Sequence, residues 1–165
     1  MKAALLTIAI LAAWPGIHPQ PQPSPAETTG KAVGITDGDT FDLLLPGDYT
    51  IRVRLEGIDA PEKRQPFGQA AKKKLSDLIF GKTLTATGSK KDRNGRLIAT
   101  VCDGSLDVNQ EMVRTGYAWH FKKYSSDAVL DSLEREARAA LRGLWTDSYP
   151  TPPWEYRKNK KQTKN

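Results

Sequence analysis

Alternating apolar and polar residues in the first two thirds of the chain predict β-strands. Ile51, Val53 and Leu55 alternate with charged residues, which is the period of a strand that buries one face. Similar apolar runs, bounded by turns rich in glycine, proline and aspartate, predict further strands. The predicted strands are residues 33–35, 41–45, 51–55, 82–87 and 97–102.

Helical spacing of apolar residues predicts helices at residues 67–80, 108–115 and 127–141. Gly81 and Gly116 follow the first two of these segments and are typical helix ends. Five strands with a helix between the third and the fourth, followed by more helices, predict an α+β fold that is mainly β. We expect a five-stranded OB-fold barrel with about three helices.

The third predicted helix has one apolar side, which we expect to face the core. Glu134 and Arg138 are spaced as an ion pair on its exposed side. The apolar side is formed by Leu130, Leu133, Ala137 and Leu141.

The chain has 165 residues, a length typical of one domain, and we place that domain at residues 31–150. Residues 1–23 are predicted to be a signal peptide, because their apolar run is too short to span a membrane comfortably but suits the core of a signal peptide. The alternative is an uncleaved N-terminal anchor. Residues 24–30 are predicted to be a proline-rich linker. Residues 151–165 are predicted to be a basic C-terminal tail, and we expect 157–164 to be disordered.

Composition narrows the possible partners and chemistries. The 25 lysines and arginines exceed the 19 aspartates and glutamates, for a net charge of +6, and a basic balance favours anionic partners such as nucleic acid or membrane surfaces. Cys102 is the only cysteine, which excludes an intramolecular disulfide. The two histidines are too few for a histidine-rich metal site.

Two short acidic segments stand out against this basic background: Asp-Gly-Asp-Thr at residues 37–40 and Ile-Asp-Ala-Pro-Glu at residues 58–62. Arg54 lies between them on a predicted strand, and Arg96 lies in a later turn. Carboxylate oxygens are the ligands that hard cations such as Ca²⁺ prefer, and guanidinium groups bind phosphate oxygens through paired N–H donors. The pattern therefore predicts a metal site that faces a phosphate.

The order of these motifs resembles that of the staphylococcal nuclease (thermonuclease-type) family. The resemblance rests on the Asp-Gly-Asp-Thr segment, Arg54, the segment Asp-Ala-Pro-Glu at residues 59–62 and the pair Gly95-Arg96. It implies a nuclease domain with the same OB fold.

The resemblance also implies a Ca²⁺ cofactor, with Asp39 and Asp59 as metal ligands. The backbone carbonyl of Ala60 would be a further ligand, at a position where the founding member of the family has threonine. Thr40 would support the metal ligands. Two interpretations of Asp37 stay open: a residue near the metal that does not bind it directly, or an ordinary turn residue.

Arg54 and Arg96 would bind the scissile phosphate and stabilise the charge that builds up in the transition state. Glu62 would act on the attacking water, either as the general base or as the group that orients it.

By resemblance, the stretch that contains Trp119, Phe121 and Tyr124 lines the nucleotide pocket. Tyr124 is the best candidate for a substrate contact, whereas we expect Trp119 and Phe121 to lie in the core. A base stacked on an aromatic ring gains about 1–3 kcal/mol.

These residues and the resemblance together predict a calcium-dependent nuclease that hydrolyses DNA and RNA with low sequence specificity, and the resemblance implies that it leaves 3′-phosphate ends. The N-terminal segment predicts that this nuclease is secreted or periplasmic. We expect a monomer without an obligate protein partner. The main alternative is a non-catalytic OB-fold module that binds nucleic acid. A weaker alternative is an anchored protein whose basic tail binds membranes, but it gives no role to the acidic segments.

Overall fold

The computed structural model describes residues 26–162. In chain order the strands are β1 (Glu27–Ile35), β2 (Thr40–Leu45), β3 (Tyr49–Leu55), β4 (Ile58–Asp59), β5 (Thr83–Lys91), β6 (Leu97–Asp103), β7 (Leu106–Asp107) and β8 (Trp119–His120). The helices are α1 (Gly68–Ile79), α2 (Val108–Arg114), α3 (Ala128–Ala139) and α4 (Pro153–Gln162), with a short 3-10 helix at Gly143–Thr146.

Five strands close into a barrel, which confirms the predicted α+β, mainly β fold. The strands lie side by side in the order β3, β2, β1, β5 and β6, and a parallel pairing between β3 and β6 closes the circle. Alternating residues of β3, such as Val53 and Leu55, point into the barrel and are fully buried. Helix α1 covers the core with Ala71, Leu75 and Ile79, so the predicted helical spacing is confirmed.

The first strand is longer than the sequence pattern predicts. β1 begins at Glu27 instead of residue 33, because residues 27–31 pair antiparallel with residues 83–87 of β5. Most of the predicted linker 24–30 is therefore part of the barrel, and this prediction is wrong from residue 27 onwards. The apolar pattern does not indicate this part of the strand, because the segment contains the polar residues Thr28 and Thr29 and few apolar residues.

Two details predicted for α3 are wrong. The helix ends at Ala139, and Leu141 lies beyond it with φ +49° and 64 % exposure instead of facing the core. Glu134 is buried instead of exposed, because its carboxylate accepts a hydrogen bond from the backbone N–H of His120 at 3.3 Å. The predicted pairing of Glu134 with Arg138 is confirmed at 3.4 Å, and the Arg138 guanidinium also lies over the ring of Trp145, 3.8 Å from the centroid.

The predicted basic tail is also different in the structure, because residues 153–162 form α4. Proline suits the first position of a helix, and Pro153 occupies it here. The ring of Trp154 stacks on Phe121 at a centroid distance of 5.2 Å and meets Trp119 edge-on at 5.6 Å. The aromatic contacts thus fix the start of α4 against the barrel domain.

The predicted signal peptide or anchor, residues 1–23, lies outside the described residues. Between residues 26 and 162, none of the helices combines the length and the apolar character that crossing a bilayer requires.

Candidate active site

Two buried aspartates meet at one nitrogen atom of Arg54. Asp39 is the last residue of the turn between β1 and β2, and Asp59 ends the short strand β4. They are 6 % and 1 % exposed. Nη2 of Arg54 lies 3.2 Å from Oδ2 of Asp39 and 3.0 Å from Oδ1 of Asp59. The structure thus brings together both predicted metal ligands and one predicted phosphate-binding arginine.

Backbone contacts hold Asp39 in place. Its carbonyl accepts a hydrogen bond from Leu55 N–H at 2.9 Å, and its Oδ2 accepts one from Ala60 N–H at 2.8 Å. A Cβ at Gly38 would lie only 2.7 Å from the Cβ atoms of Ala60 and Ala71. The turn can therefore approach the Ala60 loop and α1 this closely only with glycine at this position.

Arg54 lies on β3, between β2 and β6, opposite Thr40 on one side and Ile98 on the other. Its side chain is 13 % exposed, and its Nη1 donates a hydrogen bond to the Leu55 carbonyl at 2.8 Å. A guanidinium has five N–H donors, so these contacts leave donors that can bind a further oxyanion.

Thr40 links the aspartate pair to Arg96. Its hydroxyl donates a hydrogen bond to Oδ1 of Asp39 at 2.9 Å and accepts one from Nη1 of Arg96 at 3.0 Å. Arg96 also pairs with Asp92 at 2.7 Å, within the turn that joins β5 to β6. The second predicted phosphate-binding arginine is thus held beside the first.

Glu62 lies on the loop between β4 and α1, and its side chain is 39 % exposed. Its backbone N–H donates to the side-chain oxygen of Gln65 at 3.1 Å, and its carbonyl accepts from Gln65 N–H at 2.8 Å. A Cβ at Gly68 would lie 2.0 Å from that carbonyl oxygen. The loop therefore folds tightly against the start of α1 and presents the Glu62 side chain to the cleft.

The electrostatics of the site reflect an excess of carboxylates in a buried space. Burial, together with the charge of Asp39, raises the pKa of Asp37 to about 7. Burial also raises the pKa of Asp59, although its hydrogen bonds with Arg157 oppose this effect. Both shifts show that negative charge is costly here, so added positive charge stabilises the ionised carboxylates.

The residues present fit a cation that prefers oxygen ligands. In the part of the chain that the structure describes, no group of three or more histidine, cysteine or acidic residues is placed to hold a metal ion, so the side-chain contribution would come from Asp39 and Asp59. Ca²⁺ takes about six to eight oxygen ligands, which leaves several positions for backbone carbonyls and water. Buried Asp59 has both oxygens turned towards guanidinium groups, as expected for a place that accepts positive charge.

An open cleft of about 1140 Å³ runs past these residues. Among the predicted site residues, those that line it are Asp37, Asp39, Arg54, Asp59, Ala60, Glu62, Arg96 and Tyr124. Thr40 lies behind them and is buried. The Asp39 N–H donates to Oδ1 of Asp37 at 3.2 Å, an arrangement that agrees with both interpretations of Asp37.

Aromatic residues also line the cleft. Tyr124 is 70 % exposed, and its ring meets Phe121 edge-on at 4.8 Å. Phe121 was expected in the core, but it lines the cleft, because α4 supplies Trp154 as its stacking partner. Trp119 is 6 % exposed, as expected of a core residue.

Sequence reasoning missed one residue of the site, Arg157 on α4. Its guanidinium pairs with Oδ2 of Asp59 at 2.7 Å and with Oε1 of Glu62 at 2.8 Å. Burial lowers the pKa of Arg157, but the hydrogen bonds and charges of Asp59 and Glu62 outweigh it and raise the pKa above its usual value. The available signal was the pair of aromatic residues just before this arginine, Trp154 and Tyr156, which is unusual for a disordered basic tail.

Comparison with known proteins points to one family. Residues 52–147 match the family model described as Staphylococcal nuclease homologue. A protein of Escherichia coli O157:H7 named "Uncharacterized endonuclease" is 42 % identical over 136 residues, which cover 82 % of this chain and 88 % of that protein. A Shigella flexneri protein named "Micrococcal nuclease" is 36 % identical over 176 residues and covers 100 % of this chain and 94 % of its own length. The matched segment of this chain contains Arg54, Asp59, Glu62 and Arg96, whereas Asp39 and Arg157 lie outside it.

Proposed function

Because the chain belongs to the staphylococcal nuclease family, we propose that it is a nuclease that hydrolyses phosphodiester bonds of DNA and RNA with little sequence specificity. The observation that carries the proposal is the convergence of Asp39 and Asp59 on one nitrogen of Arg54, in a cleft that Glu62 and Arg96 also line. An oxyanion entering this cleft therefore meets two arginines and the Glu62 carboxylate along its lining.

The arginines account for binding of the scissile phosphate. Arg54 pairs directly with Asp39. Arg96 is linked to Asp39 through hydrogen bonds of the Thr40 hydroxyl. Their orientation is therefore set before substrate binds, and donors fixed in advance stabilise developing negative charge most effectively. Lysine at either position would lose the paired donors of the guanidinium.

Glu62 accounts for activation of water. Its side chain is partly exposed on the cleft wall, beside the buried Asp59. A carboxylate in this position can accept a hydrogen bond from a water molecule and direct that molecule at phosphorus. We propose attack in line with the bond to the 5′-oxygen, so that this oxygen leaves and the phosphate stays on the 3′ end.

We further propose that the cofactor is Ca²⁺, held by Asp39 and Asp59, with the Ala60 carbonyl as the backbone ligand. When bound, the ion would neutralise charge on the phosphate and so ease the approach of a nucleophile. Support comes from the burial of both carboxylates and from their present contacts with cationic groups.

The test is cleavage of single-stranded DNA, duplex DNA and RNA by the purified chain with Ca²⁺, with Mg²⁺ or with chelator. We expect cleavage in Ca²⁺ and none in chelator, with products that a 3′-phosphatase converts to 3′-hydroxyl ends. Asp39→Asn should abolish the activity, and Asp48→Asn, in an exposed turn, is its matched control. Binding without cleavage under every metal condition would refute the proposal and favour the non-catalytic module.

The role of Glu62 has its own variant in the same assay. Glu62→Gln keeps the size of the side chain and should lower kcat by about 100- to 10,000-fold, the range for a positioned acid–base group. Glu136→Gln, on the exposed side of α3, is the matched control and should keep wild-type activity. Unchanged kcat in Glu62→Gln would exclude this role.

We also propose that the protein is exported and acts as a monomer. The apolar run within residues 1–23 supports export to the periplasm or the medium, either by cleavage or as an anchored form. N-terminal sequencing of the exported protein distinguishes these forms, and light scattering after gel filtration tests the monomer.

A further inference from the structure

Arg157 connects the C-terminal helix to the acidic residues of the active site. Its Nη2 lies 2.7 Å from Oδ2 of Asp59, and its Nη1 lies 3.2 Å from Oδ1 of the same carboxylate and 2.8 Å from Oε1 of Glu62. One guanidinium therefore bridges two carboxylates that would otherwise repel each other. The bridge joins the fully buried Asp59 to the partly exposed Glu62.

The neighbours of Arg157 on α4 make this position specific. Trp154, one helical turn earlier, stacks on Phe121 with an angle of 4° between the ring planes. Tyr156, the preceding residue, donates a hydrogen bond from its hydroxyl to the carbonyl of Arg64 at 3.3 Å. Further up the chain, the Thr151 carbonyl accepts a hydrogen bond from the side chain of Gln65. The loop that carries Glu62 and the segment that carries Arg157 thus hold each other in place.

Fixing Glu62 requires a contact of this kind. Gln65 holds the backbone of Glu62 through two hydrogen bonds, but backbone contacts leave the side-chain torsions free. The bond from Arg157 restrains the carboxylate itself. A charge-assisted hydrogen bond from a guanidinium has both the strength and the direction to select one orientation.

We infer that Arg157 is a positioning residue of the nuclease site, which holds the Glu62 carboxylate beside Asp59 in the orientation that acts on the attacking water. The inference rests on the proposed function, and it extends the site to a third arginine that acts through Glu62. Arginine suits the task because its planar fork can bind two carboxylates at once, whereas a lysine ammonium acts as a single point charge.

The experiment compares Arg157→Gln, Arg157→Lys and a matched control, Lys158→Gln, which removes one positive charge from an exposed position of the same helix. We expect Arg157→Gln to lower kcat on single-stranded DNA by about 10- to 100-fold, the cost of a misplaced catalytic group, with little change in KM. Arg157→Lys should recover only part of the loss. Lys158→Gln should keep the wild-type kcat.

A double-mutant cycle separates positioning from other roles. In the Glu62→Gln background, replacing Arg157 by Gln should change kcat by less than about threefold, because residues that act as a unit are not additive. An equal loss of kcat in the wild-type and Glu62→Gln backgrounds would overturn the inference. It would instead indicate that Arg157 binds the phosphate or stabilises the fold. A wild-type kcat in Arg157→Gln would also overturn it.

Thermal unfolding and Ca²⁺ titration by calorimetry give readouts besides activity. Arg157→Gln should still bind Ca²⁺, at least as tightly as the wild type, since a cation that competes for Asp59 is gone. If Arg157→Gln does not fold, Arg157→Lys takes its place in the cycle with the same expected non-additivity. A wild-type chain that binds DNA but never cleaves it would refute the proposed function. A wild-type chain that cleaves DNA, combined with additive effects of the Arg157 and Glu62 substitutions, would refute only the inference.

Discussion

Replacing Arg54 by glutamine should destabilise the protein in the absence of metal. The side chain is 13 % exposed and its Nη2 contacts both Asp39 and Asp59, so the variant leaves two buried carboxylates without their shared cation. Removing one partner of a buried ion pair costs about 3–5 kcal/mol. Arg157 still balances Asp59, and we therefore expect a smaller loss, about 2–3 kcal/mol.

Urea unfolding monitored by tryptophan fluorescence measures this loss. With a slope of about 1–3 kcal/mol per M, the midpoint should fall by about 0.7–3 M in chelator. Added Ca²⁺ should restore part of the stability of Arg54→Gln, because a ligand that binds only the folded state stabilises it.

The matched control is Arg52→Gln, two residues earlier on the same strand. Arg52 pairs with Asp42 at 2.8 Å, but its side chain is 54 % exposed, and exposed pairs contribute only about 0.2–1 kcal/mol. Equal losses in the two variants, or a loss below about 1 kcal/mol in Arg54→Gln, would refute the argument that burial of the carboxylates makes this arginine essential to the fold.

Two further substitutions test other parts of the site. Gly68→Ala places a Cβ 2.0 Å from the Glu62 carbonyl oxygen. The substitution should therefore lower the free energy of unfolding in urea by at least about 2 kcal/mol, and it should lower kcat as well. A stable, fully active variant would contradict the tight loop described above. Tyr124→Ala should raise KM for single-stranded DNA by about tenfold with kcat unchanged, since stacking is worth about 1–3 kcal/mol per base, and an unchanged KM would exclude Tyr124 as a substrate contact.

Much of the barrel could be predicted from the sequence because its strands carry a clear two-residue period. Val53 and Leu55 show that period and lie in the closed barrel. The start of β1 could not be predicted in this way, because Thr28 and Thr29 are held by their pairing with β5 and not by an apolar face. Strand pairing is a long-range property that local patterns do not contain.

The candidate site, like the barrel, could be predicted only in part. Asp39, Asp59 and Glu62 could be proposed together because their motifs follow each other in a recognisable order within residues 37–62. Arg157 belongs to no such motif, and its neighbours Lys158 and Lys160 are typical of a solvated charge run. The identity of its partners depends on how α4 docks, and this docking rests on tertiary contacts such as the packing of Trp154, which no local sequence pattern contains.

The position of Arg157 also has a consequence for the order of events during folding. Its contacts with Asp59 and Glu62 join residues 98 and 95 positions apart in the chain, and both partners must be present before such long-range contacts can form, at a cost in loop-closure entropy. The acidic loop therefore cannot reach its final arrangement until nearly the whole domain has been synthesised. Maturation of the catalytic geometry is in this way coupled to the synthesis and docking of α4.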